Sequence, residues 1–127
     1  MADLHAIPDA MLGSMYGQAE SYVGWVSYCL SRRSCDLETA STAQRRLESK
    51  LYLELKSKGS TDKVVKCEID LNTEFIMFEN EIAQIKTDIE ILKSILKDAE
   101  GKAKALSREL SSRTGGTNLR RNDFNAV

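Results

Sequence analysis

Eleven residues between Phe75 and Leu110 alternate at spacings of three and four: Phe75, Phe78, Ile82, Ile85, Ile89, Leu92, Leu96, Ala99, Ala103, Leu106 and Leu110. A repeat of 3.5 residues sustained this long is a heptad seam. It predicts one long helix that packs lengthwise against other helices with a left-handed supercoil. The pattern also narrows function, because a chain built this way has little material for an enzyme's cleft.

Helical punctuation is clear elsewhere. Pro8 suits a first helical turn and Asp9 favours the positive end of the dipole. Apolar residues then recur at Leu12, Met15, Ala19, Tyr22, Val26 and Cys29, and predict a first helix over about residues 9–31. Gly13, Gly17 and Gly24 weaken it by about 1 kcal/mol each relative to alanine. Ser31–Asp36 interrupts the stripe without a proline. The helix either continues there with a changed face or restarts with Ser34 as N-cap.

A second stripe, Leu37, Ala40, Ala43, Leu47, Leu51 and Leu55, predicts helix over about 35–58. Gly59 can close it in the left-handed conformation, and Thr61 can cap a short helix over 62–69. Asn72 or Thr73 is placed to cap the long helix, expected over 73–113 and about 60 Å long at 1.5 Å per residue. Thr114-Gly115-Gly116-Thr117 is expected to end it, leaving 114–127 as a flexible tail.

The expected fold class is therefore all-α. Residues 1–113 form a single helical domain, a long antiparallel helical hairpin turned at Gly59 with the seam on its second arm. Ile76, Met77, Ile91 and Ile95 flank the seam, and two helices cannot bury a seam together with its flanks. Other copies of the chain are expected to cover the excess, giving a homo-oligomer.

Charge is balanced overall, at −1, but unevenly distributed. Glu68–Glu90 holds seven acids against Lys86 alone, Arg45–Lys58 five bases against two acids, and Lys102–Arg121 six bases against Glu109 alone. The balance excludes a chain that is basic throughout. The acidic stretch can pair across the hairpin with Arg32, Arg33, Arg45, Arg46 and Lys50.

No apolar run is long enough to cross a membrane, and Met1–Met15 lacks the basic start of a secretory signal. Cys29, Cys35 and Cys67 are an odd, unpatterned set, expected as free thiols in a reducing cytoplasm. With His5 they make no metal-ligand spacing. No glycine-rich phosphate loop, nucleophile–histidine pair or distinct carboxylate pair is present, so neither catalysis nor a cofactor is expected.

One strip stands out as a candidate binding surface: Arg45, Arg46, Lys50, Lys56, Lys58 and Lys63, with Tyr52 among them. Such a strip can follow a phosphate backbone while the tyrosine stacks on a base. The residues alone favour a solvated face with pairs between the arms over such a binding strip, although oligomerisation would multiply the strip into a ring or stripe of charge. Arg108, Arg113, Arg120 and Arg121 form a second basic group, with Leu119 and Phe124 nearby, suited to a mobile arm or to solubility alone. Tyr16, Tyr22, Trp25 and Tyr28 recur at helical spacing. They suit a packed core or a subunit interface better than a ligand platform.

The stretch Ala43-Gln44-Arg45-Arg46-Leu47-Glu48-Ser49-Lys50-Leu51-Tyr52-Leu53 resembles the basic helix of UvsY-type phage recombination mediators. The arm, turn, short helix and long helix are also similar in layout. At residue level the resemblance spans about Ala43–Gly59. It implies a small all-helical protein, assembled as a ring in the bacterial host cell, that binds single-stranded DNA. It also implies that the protein helps a phage recombinase replace the single-strand binding protein. Lys50 matches a DNA-contacting lysine of that family, with Arg45 and Arg46 as the preceding basic pair, whereas Tyr52 stands where a second basic residue is expected. A coiled-coil scaffold or protein-interaction module, such as a phage assembly factor or an inhibitor, accounts for the seam and the acidic face without DNA.

Overall fold

The computed structural model describes residues 3–125, with side chains through Thr114. Among these residues there are helices and turns and no strand. A 3-10 turn, Leu4–Ala6, precedes α1 (Asp9–Ser57), α2 (Asp62–Asp70) and α3 (Thr73–Asn125). The chain divides into two units, residues 3–28 with 93–125, and Cys29–Leu92.

In the unit Cys29–Leu92, two apolar clusters form the core. Ala40, Ile85 and Ile89 are buried together, with Leu30, Leu37 and Ile82 packed against them. Val65, Ile69 and Phe75 form the other, covered by Leu47, Leu51 and Leu55. Later residues of α1 thus share a core with earlier residues of α3. Ile85 is 2% exposed, and truncating a side chain buried so fully leaves a cavity that the neighbours close only in part.

Turn chemistry joins these helices as the sequence suggests. Gly59 has φ +84°, a conformation in which a side chain would strain the backbone. Thr61 Oγ1 accepts from Val64 N and caps α2. Asn72 Oδ1 accepts from Phe75 N at 3.0 Å and caps α3.

The unit of residues 3–28 and 93–125 buries Leu12 and Val26 of α1 with Ala99, Ala103 and Leu106 of α3. Arg113 ties the N-terminal segment down. Its Nη2 donates to Leu4 O at 2.9 Å and its Nη1 to Ile7 O at 2.8 Å. It also pairs with Asp9 and Glu109. These carboxylates, Asp9 foremost, raise the Arg113 pKa, so the guanidinium stays charged.

All eleven seam residues are buried or half-buried, while Ile76, Met77, Ile91 and Ile95 remain exposed. Met77 is 66% exposed.

One alternative is settled and two expectations are corrected. First, α1 continues through Ser31–Asp36 without a break. Leu30, Arg33 and Leu37 continue the inner row across the gap in the apolar stripe, with Arg33 satisfied by acids. Ser34 Oγ donates to Leu30 O at 2.9 Å within the helix rather than capping a new one. Second, α3 does not stop at Arg113 but is helical to Asn125. Glycines at 115 and 116 cost helix stability without forbidding it, and no proline follows. Third, Tyr22 is exposed, and Val23 takes the inward position.

Candidate nucleic-acid interface

The last turns of α1 carry the basic strip. Leu47, Leu51 and Leu55 face the α2–α3 cluster, and this fixes where the intervening residues point. Arg45, Arg46 and Lys50 are exposed. Arg46 and Lys50, four residues apart, are neighbours on one helix face. Arg45 Nη2 reaches Thr42 Oγ1 at 3.5 Å.

Tyr52 and Lys56 turn instead to the start of α2. Lys56 Nζ forms an ion pair with Asp62 and lies 6.0 Å from the Tyr52 ring centroid. Tyr52 Oη donates to Asp62 Oδ1 at 3.4 Å. The Lys56 ammonium, through its hydrogen bond and then its charge, lowers the Asp62 pKa, and Asp62 in turn raises that of Lys56. Both groups are thus ionised at neutral pH and form a local clasp. Lys58 in the turn and Lys63 on α2 are exposed.

Pairing between α1 and α3 is seen at Arg33. Arg33 binds Asp88, whereas Arg45, Arg46 and Lys50 form no ion pair among the described residues. In the sequence Arg33 is legible only as a charge, because its place on the seam depends on Asp88 opposite it.

The aromatic side chains of α1 do not fill a core. Tyr22, Trp25 and Tyr28 are exposed, Trp25 by 61%. Trp25 and Tyr28 stack with ring centroids 5.8 Å apart and planes at 29°. In the second basic group, Arg113 is engaged with the N-terminal segment and Arg108 is exposed. Arg120, Arg121, Leu119 and Phe124 lie outside the residues whose side chains are described.

Among the described residues no cluster of three or more histidine, cysteine or acidic side chains is arranged to hold a metal ion. Among them, too, no helix is long and apolar enough to cross a membrane. A groove of about 610 Å³ in the unit of residues 3–28 and 93–125 is lined by Ala19, Tyr22, Ile95 and the Asp98–Lys102 ion pair.

Comparison of the chain with protein-family models, with curated proteins and with solved structures finds no match in any of the three.

Proposed function

We propose that this chain is a non-enzymatic recombination mediator that binds single-stranded DNA as a helical homo-oligomer and helps load a recombinase. The observation that carries the proposal is the exposed state of Arg46 and Lys50 on the solvent face of α1, without an ion pair among the described residues and with Arg45 beside them. Cations that are not engaged by protein carboxylates are available to phosphates, and each phosphate neutralised releases counterions.

In this proposal each copy folds as a long antiparallel hairpin and associates through apolar residues that one chain leaves exposed. Copies set around an axis, as in a ring, repeat the Arg45–Arg46–Lys50 surface. A strand crossing several copies is held by many weak contacts, whose combined affinity exceeds any one of them. The bound strand stays extended and accessible to a recombinase that displaces the single-strand binding protein. Tyr52, Lys56, Lys58 and Lys63 lie at the end of this surface. Lys56 contributes less than the others because Asp62 already neutralises it.

The test is fluorescence anisotropy with a labelled oligo-thymidine strand. Arg46→Ala with Lys50→Ala should weaken binding and flatten the log–log salt dependence by about 0.7 for each phosphate no longer neutralised. Unchanged affinity in this double variant rejects the assigned surface.

A second reading, a coiled-coil scaffold or protein-interaction module such as an assembly factor or an inhibitor, is favoured by the exposed Met77 and Ile91 beside acidic side chains on α3. It is distinguished by absence of DNA binding even at low salt.

A further inference from the structure

Between Asp9 and Arg32, Glu20 is the sole charged residue of α1, in a chain of which 29% is charged. The inward row of this stretch has Leu12 and Val26 buried and Ala19 and Val23 half-buried. Beside it runs a second row, Met11, Met15, Gln18, Tyr22 and Trp25, at spacings of four, three, four and three. This is heptad spacing again, but Met11, Gln18, Tyr22 and Trp25 are exposed and Met15 is half-buried. Glu20 lies about 200° round the helix from Tyr22, so the second row carries no charge. The row borders the groove lined by Ala19, Tyr22, Ile95, Asp98, Ala99 and Lys102. Tyr22 and Ile95 are exposed apolar side chains there, and Asp98 and Lys102 pair with each other at 3.1 Å. Trp25 stacks on Tyr28, and a ring already held on the helix surface loses less freedom when it docks.

We propose that this face is a contact between two copies of the chain, packed antiparallel about a two-fold axis near residue 20 of α1. Residues 15 and 25, and residues 18 and 22, are equally spaced about residue 20. An antiparallel copy therefore sets Met15 against the partner's Trp25 and Gln18 against the partner's Tyr22. The first is a thioether on an indole, and the second an amide within reach of a phenol. The occupant follows from charge. In a two-fold contact each surface meets itself, so a charged row would repel its own copy. The second row is neutral, and the α3 edge is self-complementary, because Asp98 of one copy comes within reach of the partner's Lys102. A nucleic acid would meet a single cation in this groove, already paired with Asp98. The proposal rests on the homo-oligomer in the reading above and is independent of DNA binding. Met77 and Ile91 contribute to the same association, so loss of either set of contacts lowers the affinity of the whole.

Trp25 is the one tryptophan of the chain, and its emission reports this face directly. The experiment follows emission and sedimentation velocity over a dilution series of the full chain without nucleic acid. As the mass rises from the 14.2 kDa of one chain, emission should move to shorter wavelength and iodide should quench it less. Tyr22→Lys puts a cation on each side of the contact. It should raise the concentration needed for association by about tenfold or more, with helix content unchanged by circular dichroism. Glu20→Gln, on the far side of α1, should change neither reading. If the mass rises while emission and quenching stay fixed, or if Tyr22→Lys associates as the wild type does, the assigned face is wrong and the homo-oligomer stands. A chain that stays at 14.2 kDa at every concentration overturns both.

Discussion

Arg33 and Asp88 meet across the seam of the Cys29–Leu92 unit. Arg33 Nε and Nη2 both donate to Asp88 Oδ2, at 3.0 and 2.7 Å. Arg33 Nη1 donates to Asp36 at 2.9 Å, and Gln84 Nε2 occupies Asp88 Oδ1 at 2.9 Å. Both residues are half-buried. An arginine can therefore hold an inward position on α1 where the apolar stripe has no hydrophobic residue, and the helix passes through Ser31–Asp36 unbroken.

Removing either partner leaves a half-buried charge without its mate, which is more damaging than the weak net value of the pair implies. Arg33→Ala and Asp88→Ala should each lower the melting temperature. The double variant should be destabilised by less than the sum of the two single variants. Thermal melts followed by circular dichroism complete this cycle, and additive effects would show that the pair is energetically idle.

The same pair sets an acid limit. Hydrogen bonding to Arg33, and then to Gln84, lowers the Asp88 pKa below its ordinary value. Its stabilising contribution is complete above the unfolded carboxylate value of about 3.9. It disappears as pH falls from there through the lower folded value. Arg33 stays protonated throughout, its pKa being raised chiefly by Asp88. The wild-type melting temperature should fall on acidification through this window, and the fall should be smaller in Asp88→Asn. Identical pH profiles would remove Asp88 as a source of the acid sensitivity.

Self-association is expected to use residues that the chain leaves uncovered. Met77 and Ile91 are 66% and 53% exposed and occupy the same heptad position, on the flank of a seam whose other side is occupied. Met77→Asp with Ile91→Asp should reduce the mass seen in sedimentation velocity to the 14.2 kDa of one chain, with helix content unchanged. A wild-type chain that sediments at 14.2 kDa would contradict the oligomer.

The alternation from Phe75 to Leu110 is legible in the sequence because it repeats one rule, and every member is buried or half-buried. Gly59, Thr61 and Asn72 are legible because each does something local that few residues can do. Arg33 is not, because its burial depends on a carboxylate 55 residues away. The continuation of α3 beyond Arg113 is hidden because two adjacent glycines read as a stop, whereas in the folded chain they are only a cost. At the candidate site, the basic residues are visible in the sequence but their directions are not. Lys56 and Tyr52 turn to Asp62, Arg33 turns inward, and Arg46 and Lys50 stay outside, a sorting that depends on helix phase and on partners distant in sequence.

The central claim is electrostatic binding of single-stranded DNA, and the most direct measurement is anisotropy of a labelled oligo-thymidine strand titrated with the wild-type chain at low and at physiological salt. Micromolar or tighter binding at low salt that weakens steeply as salt rises is the expected result. No binding at low salt would contradict the claim and leave the helical scaffold as the better description of the molecule.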